Sequence, residues 1–591
     1  MRKLLPLIIA VVTLVSSCSP KKETQTAAHP SLDSLLKNYH EAFLKLFPLS
    51  ATSAGDNRYN DLLPNTLTTD YRKQVKDFYE DYLKQLAAFD RNVLSENDKM
   101  SYDLLMYECN INLEGQKFKD YLMPISQTRF LTLNMAQLGS GTGNQPFKTV
   151  KDYDNWLSRL NGYLAWCDTA MVNMKKGITS GYVIPKALVK KVIIQLGNFD
   201  HGPAKDHLYY SAVKMMPADF SAEDKARIAK AYEEIIDNKI IPAHQKLKAF
   251  IEKEYLPAAR ETSGIDAIPD GKAYYDYLVK RFTTTEKTAD EIFAIGKSEV
   301  DRISKEMEVI KTQVGFKGDL KAFLEHLRNR KELMPFKTGE EIIAAYNAIH
   351  EKMKPNLVKL FAKAPKTAFE VRRIEAYREK TSAANYSQGS EDGTRPGIFY
   401  FPSPEPTKYS TLGMEDLFLH EAIPGHHYQI MLKIENKSLP EFRRFLNFGA
   451  YTEGWGLYTE SLGKELGLYT DPYSYFGMLT AEMHRAIRLV VDAGMHSQGW
   501  TREQAMQYSR DHEAASEQNI ESEIERYMSG PGQALSYKMG QLKILELRAK
   551  AEKALGAKFD IKEFHNRVLD SGSLPLSKLE DIINEWIASK S

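Results

Sequence analysis

The sequence predicts a mostly α-helical protein with two lobes and a small β-hairpin or sheet. Three observations support this fold class. Helix-capping residues precede long segments whose apolar residues recur with the helical period of about 3.6 residues. Strand patterns are few. The chain has 591 residues, which is enough to bury a large core and to form two subdomains.

The helical segments begin at residues that can cap a helix. Ser31 precedes apolar residues that follow the helical period until Pro48, where the predicted first helix ends. Thr288 and Glu291 have the spacing of a capping box, in which both side chains accept hydrogen bonds from free backbone N–H groups. The helix behind them should stop at Gly315. The same spacing recurs in two further pairs, Thr338 with Glu341 and Thr501 with Gln504.

Strand patterns are clearest in one short region. Residues 369–377 alternate apolar and charged side chains, and residues 396–401 read PGIFYF. A loop rich in Gly, Ser, Asn and Asp separates them, so we expect the two segments to pair as a hairpin. Its exposed edge could bind an extended peptide by strand addition. A purely structural hairpin is the alternative.

A segment containing Gly and Pro divides the chain in two. Residues 264–271 read GIDAIPDG, a composition typical of a connection between helices. We therefore place one lobe at residues 31–265 and the other at residues 266–591. Every functional motif of the folded body described below lies in the second lobe.

Composition excludes several classes of function. The chain has 79 Lys and Arg residues against 78 Asp and Glu residues, a formal net charge of +1. Neither this balance nor any long basic run suggests nucleic acid as a partner. With 43% hydrophobic and 27% charged residues, the protein is expected to be globular rather than disordered or embedded in a membrane. Cys109 and Cys167 could pair in an oxidising compartment or remain buried thiols.

The N-terminus has the layout of a bacterial lipoprotein signal. Arg2 and Lys3 precede an apolar run that is too short to span a bilayer, and small residues stand directly before Cys18. We predict that residues 1–17 are removed, that Cys18 is lipidated, and that residues 18–30 tether the body to a membrane. The protein would then face the periplasm or the cell surface. An ordinary secretory signal with an incidental cysteine is the alternative.

The most informative stretch is residues 420–429, which read HEAIPGHHYQ. A His-Glu pair followed by further histidines supplies neutral imidazoles for zinc and a carboxylate that can act on metal-bound water. In the familiar motif the second His follows four residues after the first, on the same helix face, but Pro424 stands there. His426 and His427 lie six and seven residues after His420. Neither fits one metal ion on a straight helix.

Pro424 and Gly425 allow the helix to change direction. Proline removes a backbone donor and clashes with the preceding turn, and glycine tolerates unusual dihedral angles. A local bulge can therefore swing His426 toward the metal. Glu421 is then the candidate general base.

A third ligand should come from a following helix, and Glu453 in the segment TEGWGLYTE is the best candidate. It lies 27 residues beyond His426, and a fourth coordination position would remain for water. Glu460 returns to nearly the same helix face and could orient a ligand, or it could be a solvated surface carboxylate. Asp416, one turn before His420, has the same two interpretations.

Four segments together resemble the bacterial family called domain of unknown function 885, many of whose members are lipoproteins. The resemblance covers roughly residues 30–590, and its motif HExxPGHxxQ favours His426 over His427 as the ligand. The family is similar to the all-helical zinc peptidases of the thimet oligopeptidase, carboxypeptidase Taq and angiotensin-converting enzyme kind. This likeness implies zinc at the floor of a deep cleft between two helical lobes. The four segments are HEAIPGHHYQ, EGWGLYTE, RLVVDAGMHSQGWTREQA and PGQALSYKMGQLKILELR.

The resemblance also implies a donor that stabilises the tetrahedral oxyanion, commonly a Tyr or His beyond the metal ligands. Tyr537 and His496 are the candidates, although each could be structural. Arg485 and Arg488 could receive a peptide carboxylate, because guanidinium binds carboxylate through two hydrogen bonds. Asp492 lies four residues after Arg488, so an ordinary helix salt bridge is the better interpretation there.

The predicted function is therefore that of a zinc-dependent peptidase. His420, His426 and Glu453 would hold one Zn²⁺, and Glu421 would take a proton from water and pass it to the leaving amine. The resemblance implies short or unfolded peptides as substrates. The alternatives are a zinc amidase acting on a non-protein or cell-wall amide, and a surface lipoprotein that binds peptides or glycans without catalysis. The sequence contains no phosphate-binding Gly-rich loop and no G-x-S-x-G nucleophile motif.

Overall fold

The computed structural model describes residues 31–374, 379 and 383–590. The predicted fold class is confirmed, since the described chain is mostly helical with one small sheet. The predicted signal peptide and linker, including Cys18, lie outside the described residues. Among the helices of the described part, none combines the length and apolar character that a membrane span requires.

The first helix of the N-terminal half starts at its predicted cap, Ser31. The Ser31 hydroxyl accepts a hydrogen bond from the backbone N–H of Ser34, and the first helix ends before Pro48. Cys109 and Cys167 are both buried free thiols. The helices are α1 (Leu32–Leu46), α2 (Pro48–Ser53), α3 (Thr69–Leu86), α4 (Glu96–Gly115), α5 (Leu131–Leu138), α6 (Val150–Ser180), α7 (Lys186–Leu196), α8 (Ser211–Lys214), α9 (Ala222–Ile235), α10 (Ile241–Phe250) and α11 (Leu256–Ala258).

The next group of helices confirms two further predicted caps. Thr288 and Glu291 form the full capping box, and Gly315 follows the helix with a φ of 76°. The Thr338 hydroxyl accepts a hydrogen bond from the backbone N–H of Glu341. These helices are α12 (Gly271–Thr283), α13 (Ala289–Gln313), α14 (Leu320–Asn329) and α15 (Gly339–Leu360).

A three-stranded sheet precedes the histidine-rich motif. Its strands are β1 (Phe369–Arg373), β2 (Asn385–Ser387) and β3 (Gly397–Phe401), in the order β1-β3-β2. The predicted hairpin between residues 369–377 and 396–401 is wrong, because β1 and β3 run parallel. The antiparallel partner of β3 is β2, which lies in the segment expected to be a loop. The reason is burial: β3 is apolar and largely buried on both faces, so it takes the central position.

The last part of the chain packs its helices closely around the motif. Helix α19 crosses α23 at two glycines, where a Cβ atom on Gly454 would lie 2.5 Å from the Cα atom of Gly540. Thr501 and Gln504 form the capping box predicted for them. The helices are α16 (Met414–Glu421), α17 (His426–Glu435), α18 (Glu441–Phe445), α19 (Gly449–Ser461), α20 (Pro472–His496), α21 (Arg502–His512), α22 (Glu517–Ser529), α23 (Ser536–Leu555), α24 (Ile561–Leu569) and α25 (Leu576–Lys590).

Candidate metal centre

The HEAIPGHHYQ motif is divided between two helices. Helix α16 ends at Glu421 and α17 begins at His426, so the predicted change of direction at Pro424 is a complete break rather than a bulge. Gly425 packs against the end of α16, where a Cβ atom would lie 1.9 Å from the carbonyl oxygen of His420. The Trp455 indole N–H donates to the carbonyl of Pro424 over 2.9 Å. These contacts hold the break in place.

The break brings three predicted ligands together. His420 Nε2 lies 3.5 Å from Glu453 Oε2, and His426 Nε2 lies 3.7 Å from the same oxygen. One ligand atom from each residue falls within 4.8 Å of the others. Tetrahedral zinc with N and O ligands at about 2.0–2.2 Å would separate them by about 3.4 Å. The donor types and spacing therefore fit zinc, with a small contraction around the ion.

His427 contacts the sheet instead of the cluster. Its Nδ1 atom lies 2.9 Å from the Tyr386 hydroxyl on β2, and its ring packs against Phe369 on β1. The two adjacent histidines thus point to different partners, because His426 begins a new helix after the break. This arrangement supports His426 as the ligand and His427 as its neighbour.

Glu460 holds the far side of the His420 ring. Its Oε1 atom is 2.8 Å from His420 Nδ1, and its side chain is only 2% exposed. A solvated surface role for Glu460 is therefore excluded. The ring also packs against the backbone of α19, where a Cβ atom on Gly456 would lie 2.7 Å from His420 Cε1. Asp416 is buried as well, and burial and the negative charge of Glu460 raise its pKa well above the usual value.

Gln429 is a site residue that sequence reasoning missed. It lies one helical turn after His426, and its Nε2 group donates to the carbonyl of Tyr451. His426 Nδ1 and Gln429 Oε1 are both buried, and neither has a hydrogen-bond partner among the described residues. Burial lowers the pKa of His426 to about 4, whereas hydrogen bonding toward Gln429 acts in the opposite direction. Gln429 is the final Q of the motif HExxPGHxxQ, and this position in the motif could have identified it from the sequence.

The charges of the cluster are strongly coupled. Burial disfavours a charged His420, but hydrogen bonds to Glu453 and Glu460 outweigh it and raise the pKa of His420 to about 10. Burial also disfavours a charged Glu453, yet the two histidines and Arg488 lower its pKa to about 2. Burial raises the pKa of Glu421 to about 7, and the negative charge of Glu453 adds to that rise. Metal binding to such a cluster would displace a proton from His420.

The arginines on α20 have different surroundings. Arg488 Nε donates to the Tyr527 hydroxyl over 3.0 Å, and its Nη2 donates to Glu523 over 3.1 Å. Its predicted salt bridge with Asp492 is wrong, because Asp492 instead accepts hydrogen bonds from the Tyr275 hydroxyl and the backbone N–H of Gly532. These groups from two other elements reach the buried carboxylate directly.

The two predicted oxyanion donors differ in their contacts. Tyr537 is partly exposed at the start of α23, and its ring centre lies 4.6 Å from the guanidinium of Arg488. His496 is buried, and both its ring nitrogens bind backbone groups: Nδ1 accepts from Ile265 N–H over 2.9 Å, and Nε2 donates to the carbonyl of Tyr527 over 3.1 Å. A substrate would therefore find no free nitrogen on His496. These contacts favour Tyr537 and give His496 a structural role.

Two cavities border the helices that carry the cluster. One, of about 750 Å³, reaches Gly449 and Ser536 at the starts of α19 and α23 and is otherwise rich in aromatic residues such as Phe448. The other, of about 690 Å³, reaches Asp416 on α16 and Arg485 on α20. Each therefore extends to within about one helical turn of a predicted ligand.

Fold and site together define a helical protein with a His-His-Glu cluster that could hold a metal ion. The chain belongs to the family described as bacterial protein of unknown function (DUF885), whose model matches residues 48–583. This confirms the family resemblance seen in the motifs. Among curated proteins, none matches this sequence.

Solved structures show the same fold. A protein of Colwellia psychrerythraea described as a "putative lipoprotein" is 28% identical, with a TM-score of 0.86, over 95% of this chain and 99% of that chain. A second protein so described, of unknown function and from Shewanella oneidensis, is 18% identical, with a TM-score of 0.71, over 94% of this chain and 100% of that chain. The second likeness shows the fold alone.

Proposed function

We propose that this protein is a zinc-dependent peptidase that hydrolyses short or unfolded peptides. The single observation that carries the proposal is the convergence of His420, His426 and Glu453 next to the partly buried side chain of Glu421. Three protein ligands and a neighbouring carboxylate are the composition of a hydrolytic zinc site, in which a fourth position remains for water. Zinc, when bound there, supplies a Lewis acid that activates water and polarises the peptide carbonyl.

Side chains of the protein would carry out proton transfer, orientation of the ligands and stabilisation of the oxyanion. Glu421 takes a proton from the attacking water and returns it to the leaving amine, and a pKa near neutrality suits a group that must do both. Glu460 orients His420, and Gln429, one helical turn after His426 with its Oε1 atom buried and unpaired among the described residues, is the proposed acceptor for His426 Nδ1. Tyr537 is the proposed donor to the oxyanion, since its hydroxyl is on a partly exposed side chain close to Arg488.

The proposal includes a location. The structural neighbour from Colwellia psychrerythraea is described as a "putative lipoprotein", and the N-terminal sequence of this chain has the layout of a lipoprotein signal. We propose that the catalytic body is lipid-anchored in the bacterial cell envelope, on the periplasmic or outer side of a membrane. Peptides present in the envelope would then be its substrates.

Zinc analysis and a peptide-library digest test this function. The purified protein is expected to contain about one zinc per chain and to cut a defined subset of a mixed peptide library, with products identified by mass spectrometry. Glu421→Gln should keep the zinc and lose the cleavage. A zinc-loaded protein that leaves every library peptide intact, or one that cuts only a cell-wall amide, would contradict the peptidase proposal.

A further inference from the structure

The cavity between α16, α20 and α22 contains an arginine without an acidic partner. This cavity of about 690 Å³ is lined by Gly413 and Asp416 on one side and by Ala481 and Arg485 on another. It is large enough for a few amino-acid residues of a peptide. Its lining carries both acidic and basic side chains, so the arrangement of their partners decides which charge is available to a ligand.

The acidic groups at the α22 end of the cavity already have partners. His484 Nδ1 lies 2.6 Å from Glu513 Oε2, and its Nε2 lies 3.4 Å from Glu523 Oε2. Glu523 also accepts hydrogen bonds from Arg488 and Arg526. Glu523 is therefore neutralised by two arginines and Glu513 is held by His484, so neither carboxylate is paired with Arg485.

Arg485 itself is only partly bound. Its Nη1 group donates to the carbonyl of Ala481, one turn earlier on the same helix, over 3.2 Å. Its Nε atom is buried and has no hydrogen-bond partner among the described residues. No described carboxylate forms an ion pair with it, and Asp416 Oδ1, in the same cavity, is also without a partner. The Arg485 side chain is partly exposed, so its unpaired charge is open to a ligand, and a ligand carboxylate would supply the missing counter-charge.

Arg485 shares its cavity with a residue close to the cluster. Asp416, which also lines the cavity, lies on α16 one helical turn before His420. Helix α16 packs against α20, which carries Arg485. A group bound to the guanidinium therefore lies close enough to the cluster to belong to a substrate of the same site.

We propose that Arg485 binds a carboxylate of the peptide substrate, specifically the free carboxylate at its C-terminus. The terminal nitrogens of this partly exposed guanidinium can donate to the two oxygens of a carboxylate. The protein is then an exopeptidase that cuts near the C-terminal end of short peptides. This inference rests on the proposed peptidase function and adds the substrate class to it. An acidic side chain offers the same chemistry, so the test separates the two sources.

The test compares three peptides based on one cleaved sequence from the library. One has a free C-terminus, one has a C-terminal amide, and one has the amide with Glu as its last residue. The wild-type protein should cut the free acid with a kcat/KM about 30-fold or more above that of the plain amide. Arg485→Gln should reduce cleavage of the free acid to the amide level and change cleavage of the amide little. Arg485→Lys keeps the positive charge but cannot donate two parallel hydrogen bonds to a carboxylate. Its kcat/KM for the free acid should therefore lie between those of the wild type and Arg485→Gln.

Arg328 provides a matched control. It lines the same cavity, and its Nη2 group donates to the carbonyl of Ala514. Arg328→Gln should therefore keep the preference for the free acid. Calorimetric binding of the uncleaved peptides to zinc-loaded Glu421→Gln protein gives a second measurement. It should show the same preference, and the added change Arg485→Gln should abolish it.

The outcomes separate this inference from the function on which it rests. Equal cleavage of free acid and amide by the wild-type protein overturns the role of Arg485 and leaves the peptidase function intact. So does an equal loss on both peptides in Arg485→Gln, since Arg485 would then act on the reaction itself. If the wild-type protein cuts the Glu-terminated amide faster than the free acid, the exopeptidase assignment is overturned, because an acidic side chain would then be the group that Arg485 binds. If no peptide is cut, the peptidase function fails, and the binding preference in calorimetry still decides the role of Arg485.

Discussion

His420 Nδ1 lies 2.8 Å from Glu460 Oε1 in a buried hydrogen bond. This contact directs the other ring nitrogen, Nε2, toward Glu453 and His426. A carboxylate behind a histidine fixes its tautomer and orientation, which is the usual arrangement for a metal-ligating histidine. The hydrogen bond therefore links α16 to α19 at the point where the two helices supply ligands to one site.

The Glu460 contact predicts a graded loss of zinc affinity. Glu460→Gln and Gln429→Leu should each weaken zinc binding by about 10–100-fold, because each removes a group that orients a ligand and leaves the ligand itself in place. The affinity is measured by competition with a chelator. Glu465→Gln is the control, since Glu465 pairs with Arg548 in a half-exposed salt bridge. Unchanged affinity in both site variants would show that these contacts do not orient the ligands.

Metal binding and chemistry should separate in the motif. Replacing His420, His426 or Glu453 with Ala should lower zinc content and activity together, because three protein ligands leave little redundancy. Glu421→Gln keeps the shape of the side chain and removes the base. Its zinc content should stay near one per chain, while turnover falls by about two orders of magnitude or more. Full activity in Glu421→Gln would exclude the proposed mechanism.

His427 should be dispensable for zinc. His427→Ala removes the contact with Tyr386 and leaves the cluster intact, so zinc content should be retained. Metal analysis of His426→Ala and His427→Ala, purified side by side, makes the comparison. Loss of zinc from His427→Ala together with its retention in His426→Ala would mean that the ligand assignment is reversed.

The location of the protein should depend on Cys18. If the N-terminal segment is a lipoprotein signal, acyl chains on Cys18 hold the mature protein at a membrane. Cys18→Ala should release the protein from the membrane fraction or block its processing, as seen by fractionation and by mass spectrometry of the N-terminus. Unchanged acylation and fractionation of this variant would rule out lipidation at Cys18.

Local features of the fold could be predicted because they depend on neighbouring residues. The capping box of Thr288 and Glu291 forms as its spacing indicates, and the change of direction at Pro424 follows from the loss of a backbone donor. Strand pairing could not be predicted in the same way. It depends on which strand is buried on both faces, and that is decided by side chains outside the strands, such as Tyr346 and Phe418, which pack against Phe399 on β3. The hairpin prediction failed for this reason.

In the candidate site, too, local features could be predicted and distant partners could not. Residue type and spacing predicted His420, His426 and Glu453 as ligands, and the structure places their ligand atoms together. Spacing also suggested that Arg488 pairs with Asp492, but Asp492 accepts hydrogen bonds from groups on other elements instead. Spacing along one helix identifies only partners on that helix, so it could not predict these partners from distant parts of the chain. The backbone contacts of His496 were missed for the same reason.

Buried neutral histidines should make the fold sensitive to acid. Burial lowers the pKa of His244 to about 4, and it lowers the pKa values of His496 and His565 to about 3. In the unfolded chain these groups titrate near pH 6.5. Above that pH they are neutral in both states, so their effect on stability is absent. Between pH 6.5 and about 4 the unfolded chain binds protons at these three histidines that the folded chain does not, so their contribution to the free energy of unfolding falls.

Unfolding of metal-free protein at pH 7 and pH 5, followed by calorimetry, tests this sensitivity without interference from zinc. Each of the three histidines should lower the free energy of unfolding by about 1–2 kcal/mol between these pH values, so the prediction is made for the difference between wild type and variant. His244→Gln should be less stable at pH 7, because the hydrogen bonds of His244 with Tyr163 and Phe199 are altered, but its Tm should fall less on acidification. His201, whose side chain is 75% exposed, is the control, and His201→Gln should keep the wild-type slope. Equal slopes in all three proteins would mean that His244 takes up its proton as easily in the folded state as in the unfolded state.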